Sequence, residues 1–325
     1  MTSQPMRTPS VAGIARAGTK IAELLPPTPL LECEIFGQRV WLKAESLQPI
    51  GSFKIRGAWH RLTDLSEDER GRGVVGVSSG NHAQGVAWAA QQLGIDATIV
   101  MPIDAPQVKI AATQSYGART VLYDRPGGED RDAVAQRLVD QSGSTLVHAF
   151  ADPWVIEGQG SMGLEIAAQM AARGSAGPTR IICPCGGGGL TAGLSLACPE
   201  ADIVPVEPEG WDDVKHSLAA GEIQPVSKDA PPTACDALQT PSTRPINFAV
   251  LKGRVPFGLD VSPAEIRTAQ RWAFSNLHLV IEPGGAAALA AVLAGKTPVD
   301  GRTAVILSGG NTDTAAFAKV LSSSV

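Results

Sequence analysis

The sequence predicts an α/β protein with two open, twisted, mostly parallel sheets flanked by helices. Two observations carry this. From Arg39 onward, short β-branched runs alternate with amphipathic segments, the order in which parallel strands and crossover helices follow one another. Within that alternation, four βα units fall between about residues 61 and 148, which would make one small open sheet, so the flanking chain must build another. The expected domains are a discontinuous large one, residues 1–60 and 149–325, and a small one, residues 61–148. A chain of 325 residues is long enough for a large buried core.

Taken in order, the strand candidates are Val74 to Val77, Thr98 to Met101, Arg119 to Leu122, Thr145 to His148, Ile181 to Cys185, Ile203 to Glu207 and Ala304 to Leu307. Each is a compact apolar run bounded by turn residues. The helix candidates between them are Asn81 to Leu93, Gln107 to Tyr116, Asp130 to Gln141, Val155 to Ala172 and Pro263 to Phe274. From Ala219 to Arg254 the chain is rich in Pro, Thr and Asp with weak periodicity, which reads as irregular surface or pocket lining.

Composition narrows the class of partner. An apolar fraction of 44% with 18% charged residues is that of a globular protein, and Gly 35 with Pro 24 implies many tight connections. A net charge of -5 without a run of Lys and Arg argues against nucleic acid and for a small molecule. The five cysteines (Cys33, Cys183, Cys185, Cys198 and Cys235) show no paired metal-ligand spacing and fit reduced thiols in a cytoplasm. Residues Met1 to Ser10 do not form a signal peptide, and no apolar stretch reaches membrane-spanning length, so no membrane is expected as a partner.

Several segments carry chemistry. Lys54, after the turn Pro49-Ile50-Gly51, stands at a predicted helix start. Burial and the positive helix end would depress its pKa and leave a neutral nucleophile for imine chemistry, although lysines at such junctions are commonly surface residues. Ser78-Ser79-Gly80-Asn81-His82 follows a strand and opens a helix, so its amides can converge on a carboxylate, or its polar side chains can simply cap. Gly186-Gly187-Gly188-Gly189 joins a strand to a helix. Without Cβ atoms, successive amides can wrap a phosphate, and the loop matches neither the dinucleotide nor the nucleoside-triphosphate fingerprint. Ser308-Gly309-Gly310-Asn311 ends the last strand, where open α/β sheets place ligand groups. Glu282, before Pro283-Gly284-Gly285-Ala286, either faces the pocket or caps the next helix.

Taken together, these segments resemble the fold-type II pyridoxal-phosphate enzymes, in particular the threonine/serine dehydratase and serine racemase branch. The resemblance runs in order through Pro27-Thr28-Pro29-Leu30, Lys43-Ala44-Glu45, Gly51 to Ala58, Ser78 to Gln84, the tetraglycine loop and the Ser308 turn. It implies a tryptophan synthase beta-like fold with the cofactor between domains, and a homodimer. It implies that Lys54 holds pyridoxal 5'-phosphate as a Schiff base, that Phe53 packs beside the ring and that Asn81 bonds the ring hydroxyl. The phosphate falls to Gly186, Gly187, Gly188 and Gly189, and Glu282 joins the cofactor site. Ser308 would face the pyridine nitrogen, where a neutral hydroxyl weakens electron withdrawal and suits loss of a β-hydroxyl. Ser78, Ser79, Gly80, Asn81 and His82 would hold the substrate carboxylate. The family often has a cation site in Glu-Pro-x-x-x-x-Asp order, matched by Glu207 and Asp213 with the Trp211 carbonyl, which suits Mg2+ or Ca2+. Ala149 and Ser161 depart from the commonest pattern, and Phe150 and Trp154 add bulk nearby, which bears on substrate size. The chain looks like the short form without a C-terminal regulatory domain.

The reading is an ammonia-lyase acting on a small L-β-hydroxy amino acid such as threonine or serine, with Lys54 as the base. The alternatives are a serine- or aspartate-type racemase with Ser79 as the acid on the opposite face, and a dehydratase for hydroxyaspartate or a bulkier β-hydroxy amino acid, where Arg131 would reach a second carboxylate. A non-catalytic amino-acid-binding protein would be expected to lose Lys54 or its neighbours, and all are present.

Overall fold

The computed structural model describes residues 7–78, 80–105, 107–125 and 127–322. Helix α1 (Val11–Ala22) starts at Ser10, whose hydroxyl accepts from the Gly13 amide. Strands β1 (Leu30–Ile35) and β2 (Gln38–Ala44) form a hairpin whose turn needs positive φ at both Phe36 (55°) and Gly37 (71°). Then come α2 (Lys54–Thr63), α3 (Glu67–Arg72), β3 (Val74–Val77), α4 (Asn81–Leu93), β4 (Ala97–Pro102), α5 (Gln107–Ser115), β5 (Arg119–Tyr123), α6 (Arg131–Ser142) and β6 (Thr145–Val147). The remainder is α7 (Pro153–Ala171), β7 (Arg180–Pro184), α8 (Gly189–Ala197), β8 (Asp202–Pro208), α9 (Asp213–Ala220), α10 (Pro245–Leu251), β9 (Leu259–Val261), α11 (Pro263–Leu277), α12 (Pro283–Leu293), β10 (Thr303–Leu307) and α13 (Thr314–Ser322).

The strands sort into two sheets, as the alternation requires. One is four-stranded, in the order β5-β4-β3-β6, and parallel throughout. The other is six-stranded, β1-β2-β10-β7-β8-β9, and parallel except for the β1–β2 hairpin. Every residue of β10 is buried, as expected of a central parallel strand covered on both faces. Helix α12 is likewise apolar nearly all round and lies inside, against β10, β7 and β8. The expected boundary after residue 60 falls within α2, which packs on both α4 and α7.

Small residues set how closely the helices behind the cleft approach. A Cβ on Gly158 of α7 would sit 2.5 Å from the Gly57 Cα of α2, and one on Gly193 of α8 would sit 2.4 Å from the Ile156 carbonyl oxygen of α7. Three helices therefore cross at backbone contact, with no room for a methyl group. Gly193→Ala should lower stability by about 1–3 kcal/mol, seen as a fall in Tm. Gly71→Ala, in α3 with nothing near its Cβ position, should be neutral or raise stability by up to about 1 kcal/mol. Equal melting temperatures for the two variants would contradict this packing.

Candidate active site

Strands β3, β6, β7 and β10 are sheet neighbours in pairs, and the segments following their carboxyl ends meet across one cleft. Ser78 and Gly80 follow β3, Ala149 and Phe150 follow β6, the tetraglycine loop follows β7, and Ser308 follows β10. This is the edge at which open parallel sheets expose loops and helix N-termini to ligands.

Lys54 reaches this cleft from a segment stitched to the end of β10. The Phe53 amide donates to the Ser308 carbonyl (3.1 Å) and the Gly310 amide to the Gly51 carbonyl (2.9 Å), with Ser52 bridged to Gly309. Gly51 makes the turn at φ 71°, a conformation that favours glycine. Lys54 then opens α2, and its Nζ donates to the Ala149 carbonyl at 2.9 Å, 5.1 Å from the Phe53 ring centroid. Burial lowers the amine from its ordinary 10.5 to about 8, and Cys185 opposes this only weakly. On the same turn, Arg56 grips Glu45 through two bonds of 2.8 and 2.7 Å. Burial alone would raise Glu45, but Arg56 outweighs it and holds the carboxyl at about 2.

The tetraglycine loop offers donors without protein acceptors. Among the described residues, nothing accepts from the amides of Gly186, Gly187 or Gly188, and they lead into the N-terminus of α8 with Gly188 at φ 85°. Orphan N–H groups at a positive helix end suit a phosphate. The loop is held from outside: Thr243 Oγ1 donates to the Gly187 carbonyl at 3.1 Å, and a Cβ on Gly187 would lie 2.3 Å from the Phe150 ring. The residues present thus fit a phosphate-bearing cofactor.

The predicted carboxylate loop is only partly described, since Ser79 lies outside the described residues. Ser78 Oγ accepts from the Gly80 amide at 3.1 Å. His82 turns its ring inward, where Nε2 donates to the Val147 carbonyl at 3.0 Å, and burial pushes it down to about 3, so the imidazole is neutral. Asn81 gives one amide hydrogen to Glu282 and accepts from Asn311 Nδ2 at 2.9 Å, leaving its second hydrogen available. Glu282 therefore stands behind Asn81 rather than in the cleft wall, and burial raises it to about 7. Ser308 and Arg131 both line the cleft, with Arg131 Nε 3.4 Å from Asp132.

The proposed cation ligands lie apart from the cleft. Glu207 accepts from the Val214 and Lys215 amides (3.1 and 2.8 Å), and Asp213 Oδ2 from the Thr243 amide (2.7 Å). Burial raises both carboxyls, Asp213 to about 7, and Asp213 repulsion raises Glu207 further. Trp211 directs its indole N–H to Pro231. Among the described residues no three His, Cys, Asp or Glu side chains gather as metal ligands.

Sequence reasoning did not identify the stretch Asp236–Thr240, which lines the cleft, or Lys109, which bonds Asp236 from α5. The Pro- and Thr-rich composition pointed to pocket lining without naming residues. Lys109 shows no signal, because one lysine on a weakly amphipathic helix looks solvated.

A family profile described as "Pyridoxal-phosphate dependent enzyme" matches residues 21–309. The chain is 36% identical over 324 residues to a serine racemase of Schizosaccharomyces pombe, covering 97% of this chain and 98% of that one. It is 40% identical over 291 residues to an L-threo-3-hydroxyaspartate ammonia-lyase of Pseudomonas sp, covering 88% of each. The crystal structure of a T.th. threonine deaminase superposes with a TM-score of 0.85 at 43% identity, covering 94% of this chain and 99% of that one. The two-sheet fold is thus that of the fold-type II enzymes, with ammonia-lyases and racemases both among the relatives.

The neutral fraction of Lys54 should rise with pH through about 8. In cofactor-free protein, a small amine-reactive probe should half-maximally modify the Lys54 peptide near that pH, read by mass spectrometry. A midpoint near the ordinary 10.5 would show that burial does not control this amine.

Proposed function

The chain belongs to the pyridoxal-phosphate dependent enzyme family, and on that premise we propose that it is an ammonia-lyase converting a small L-β-hydroxy amino acid, threonine or serine, to a 2-oxo acid and ammonia. The observation that carries this is Lys54, a buried amine held at about 8 whose hydrogen-bond partner is a backbone carbonyl. The cofactor, when bound, supplies an electron sink joined to the substrate's α-carbon. The residues do the rest. Amides of Gly186 to Gly189 bind the phosphate, Phe53 packs beside the ring, and Asn81 uses its free amide hydrogen on the ring hydroxyl. The Ser78 to His82 segment orients the carboxylate. Lys54 Nζ takes the α-proton, and its ammonium then protonates the departing β-hydroxyl, so one group serves as base and acid. Ser308, uncharged at the ring nitrogen, keeps the sink modest and favours prompt elimination.

Arg131, in the cleft wall, supports a second reading in which the side chain carries a carboxylate, as in hydroxyaspartate. Racemisation would require Ser79 as the acid on the opposite face. Free cysteines support a cytoplasmic setting. No helix among the described residues is long and apolar enough to cross a membrane. We also propose a homodimer, which the family resemblance supports.

A release assay for 2-oxo acid across L-serine, L-threonine and hydroxyaspartate, with chiral analysis of the remaining amino acid, tests these readings. Turnover of L-threonine or L-serine is expected, and Lys54→Ala should abolish it together with the visible absorption of the loaded protein. Arg131→Met should cut kcat/KM for hydroxyaspartate by about 10- to 100-fold relative to threonine if it pairs a second carboxylate. Inversion without 2-oxo acid would replace the lyase with a racemase.

We further propose Glu207, Asp213 and the Trp211 carbonyl as a Mg2+ or Ca2+ site. Asp213 Oδ1 is buried without a hydrogen-bond partner and the neighbouring carboxyls repel, which is the condition a hard cation relieves. Chelation, or Glu207→Ala, should lower Tm and activity, with recovery in the wild type on adding either cation. Unchanged Tm and rate in chelator would remove the site from the proposal.

A further inference from the structure

Lys109 takes no part in the chemistry above, yet its side chain is only 6% exposed. It belongs to α5, beside the four-stranded sheet, and reaches across the cleft. Its ammonium meets Asp236 Oδ2 and stands 3.7 Å from Glu282 Oε2, both in the half built on the six-stranded sheet. Asp236 begins a short 3₁₀ turn, Asp236–Leu238, that roofs the tetraglycine loop: a Cβ on Gly186 would lie 3.0 Å from Thr240 Oγ1 and 3.4 Å from the Leu238 Cα. On its own side, the Lys109 stem lies under the carboxylate loop, where a Cβ on Gly80 would meet Cδ at 3.1 Å and Nζ at 3.3 Å. One lysine therefore touches the carboxylate loop on one wall and anchors the roof of the phosphate cradle on the other.

The Asp236 side chain keeps 31% of its exposure. Lys109 also stands beside the buried Glu282, whose carboxyl it compensates, and its pair with Asp236 is the part of this contact at the cleft.

We propose that Lys109 is a positioning residue that clasps the cleft: its ion pair with Asp236 holds the 236–240 roof against Gly80 around the bound amino acid. Only the identity of that amino acid rests on the ammonia-lyase reading.

The test uses cofactor-loaded wild type, Lys109→Met, Lys109→Arg, Asp236→Asn and the Met/Asn double variant. Hydrogen exchange at residues 236–240 and 80–84 should speed several-fold in both single variants. KM for L-threonine should rise by about tenfold, the effect of one lost charge-assisted interaction, with a smaller change in kcat. The double variant should be no worse than the poorer single variant, since both remove one interaction, and Lys109→Arg should recover part of the loss. Asp236→Asn keeps the side-chain volume and decides the matter if Lys109→Met does not fold. Unchanged exchange at 236–240, or additive effects on KM, would overturn the clasp. If the wild type turns over no amino acid, the functional reading fails while the exchange measurement still decides the clasp.

Discussion

Arg56 and Glu45 are buried together, 1% and 0% exposed, beside the first turn of α2, and the placement of Lys54 depends on their staying paired. A buried ion pair adds little net stability, but removing one partner strands the other and costs about 3–5 kcal/mol. The pair is therefore best read as a constraint on geometry. Thr28 and Gln48 complete the hydrogen bonding of Glu45, while Glu165 of α7 takes a second edge of the Arg56 guanidinium at 2.9 Å and also pairs with Lys43 of β2. Sheet, turn and two helices are thus tied at one point. Lys54 lies two residues before Arg56, so fixing the guanidinium fixes the direction in which the amine leaves the helix.

The same residue type has two fates across the cleft, and the neighbouring carboxylates decide which. Lys109 is desolvated, yet Glu282 and Asp236 more than offset this and raise it. Lys54 is desolvated, gains no help from a carboxylate, and falls to about 8. Nor do the nearby histidines supply charge, because burial holds His82 at about 3 and His148 at about 4. The cleft lowers the Lys54 amine to about 8 by burying it without an anion, and offers backbone amides at a helix end that suit anions. Charge supports the walls; around the reacting nitrogen it is sparse.

These distributed effects explain what the sequence disclosed. The strand runs were legible because central parallel strands are apolar along their whole length, and Asn81 to Leu93 coincides with α4. The tetraglycine loop stood out because four adjacent glycines let successive amides approach a ligand closely. Lys54 alone was ambiguous and became readable only through its ordered neighbours. Hidden from sequence were β9, three residues long, and the pairing of Lys43, Glu45 and Arg56 with one another and with Glu165, although the first three stand in segments that carry the resemblance. Glu282 was named from sequence, but its hydrogen bond to Asn81, 201 positions away in the chain, was not.

The stretch His148 to Asp152 is where the chain passes from the four-stranded sheet to α7, and it is also the floor of the site. The Ala149 carbonyl receives Lys54, the Phe150 carbonyl receives Asn247 of α10 at 2.8 Å, and the Phe150 ring lies beneath Gly187. Asp152 caps α7 through the Trp154 and Val155 amides, so the far end of the stretch is rigid. Any shift of the four-stranded half about this crossing must move Ala149 relative to Lys54 and Phe150 relative to the glycine loop. From the opposite side, Asp213 holds the Thr243 amide and Thr243 holds Gly187. The tetraglycine loop is therefore gripped between this crossing and the Asp213–Thr243 chain of hydrogen bonds. Lys54 and the cradle, though on different elements, are positioned through the same short segment of chain.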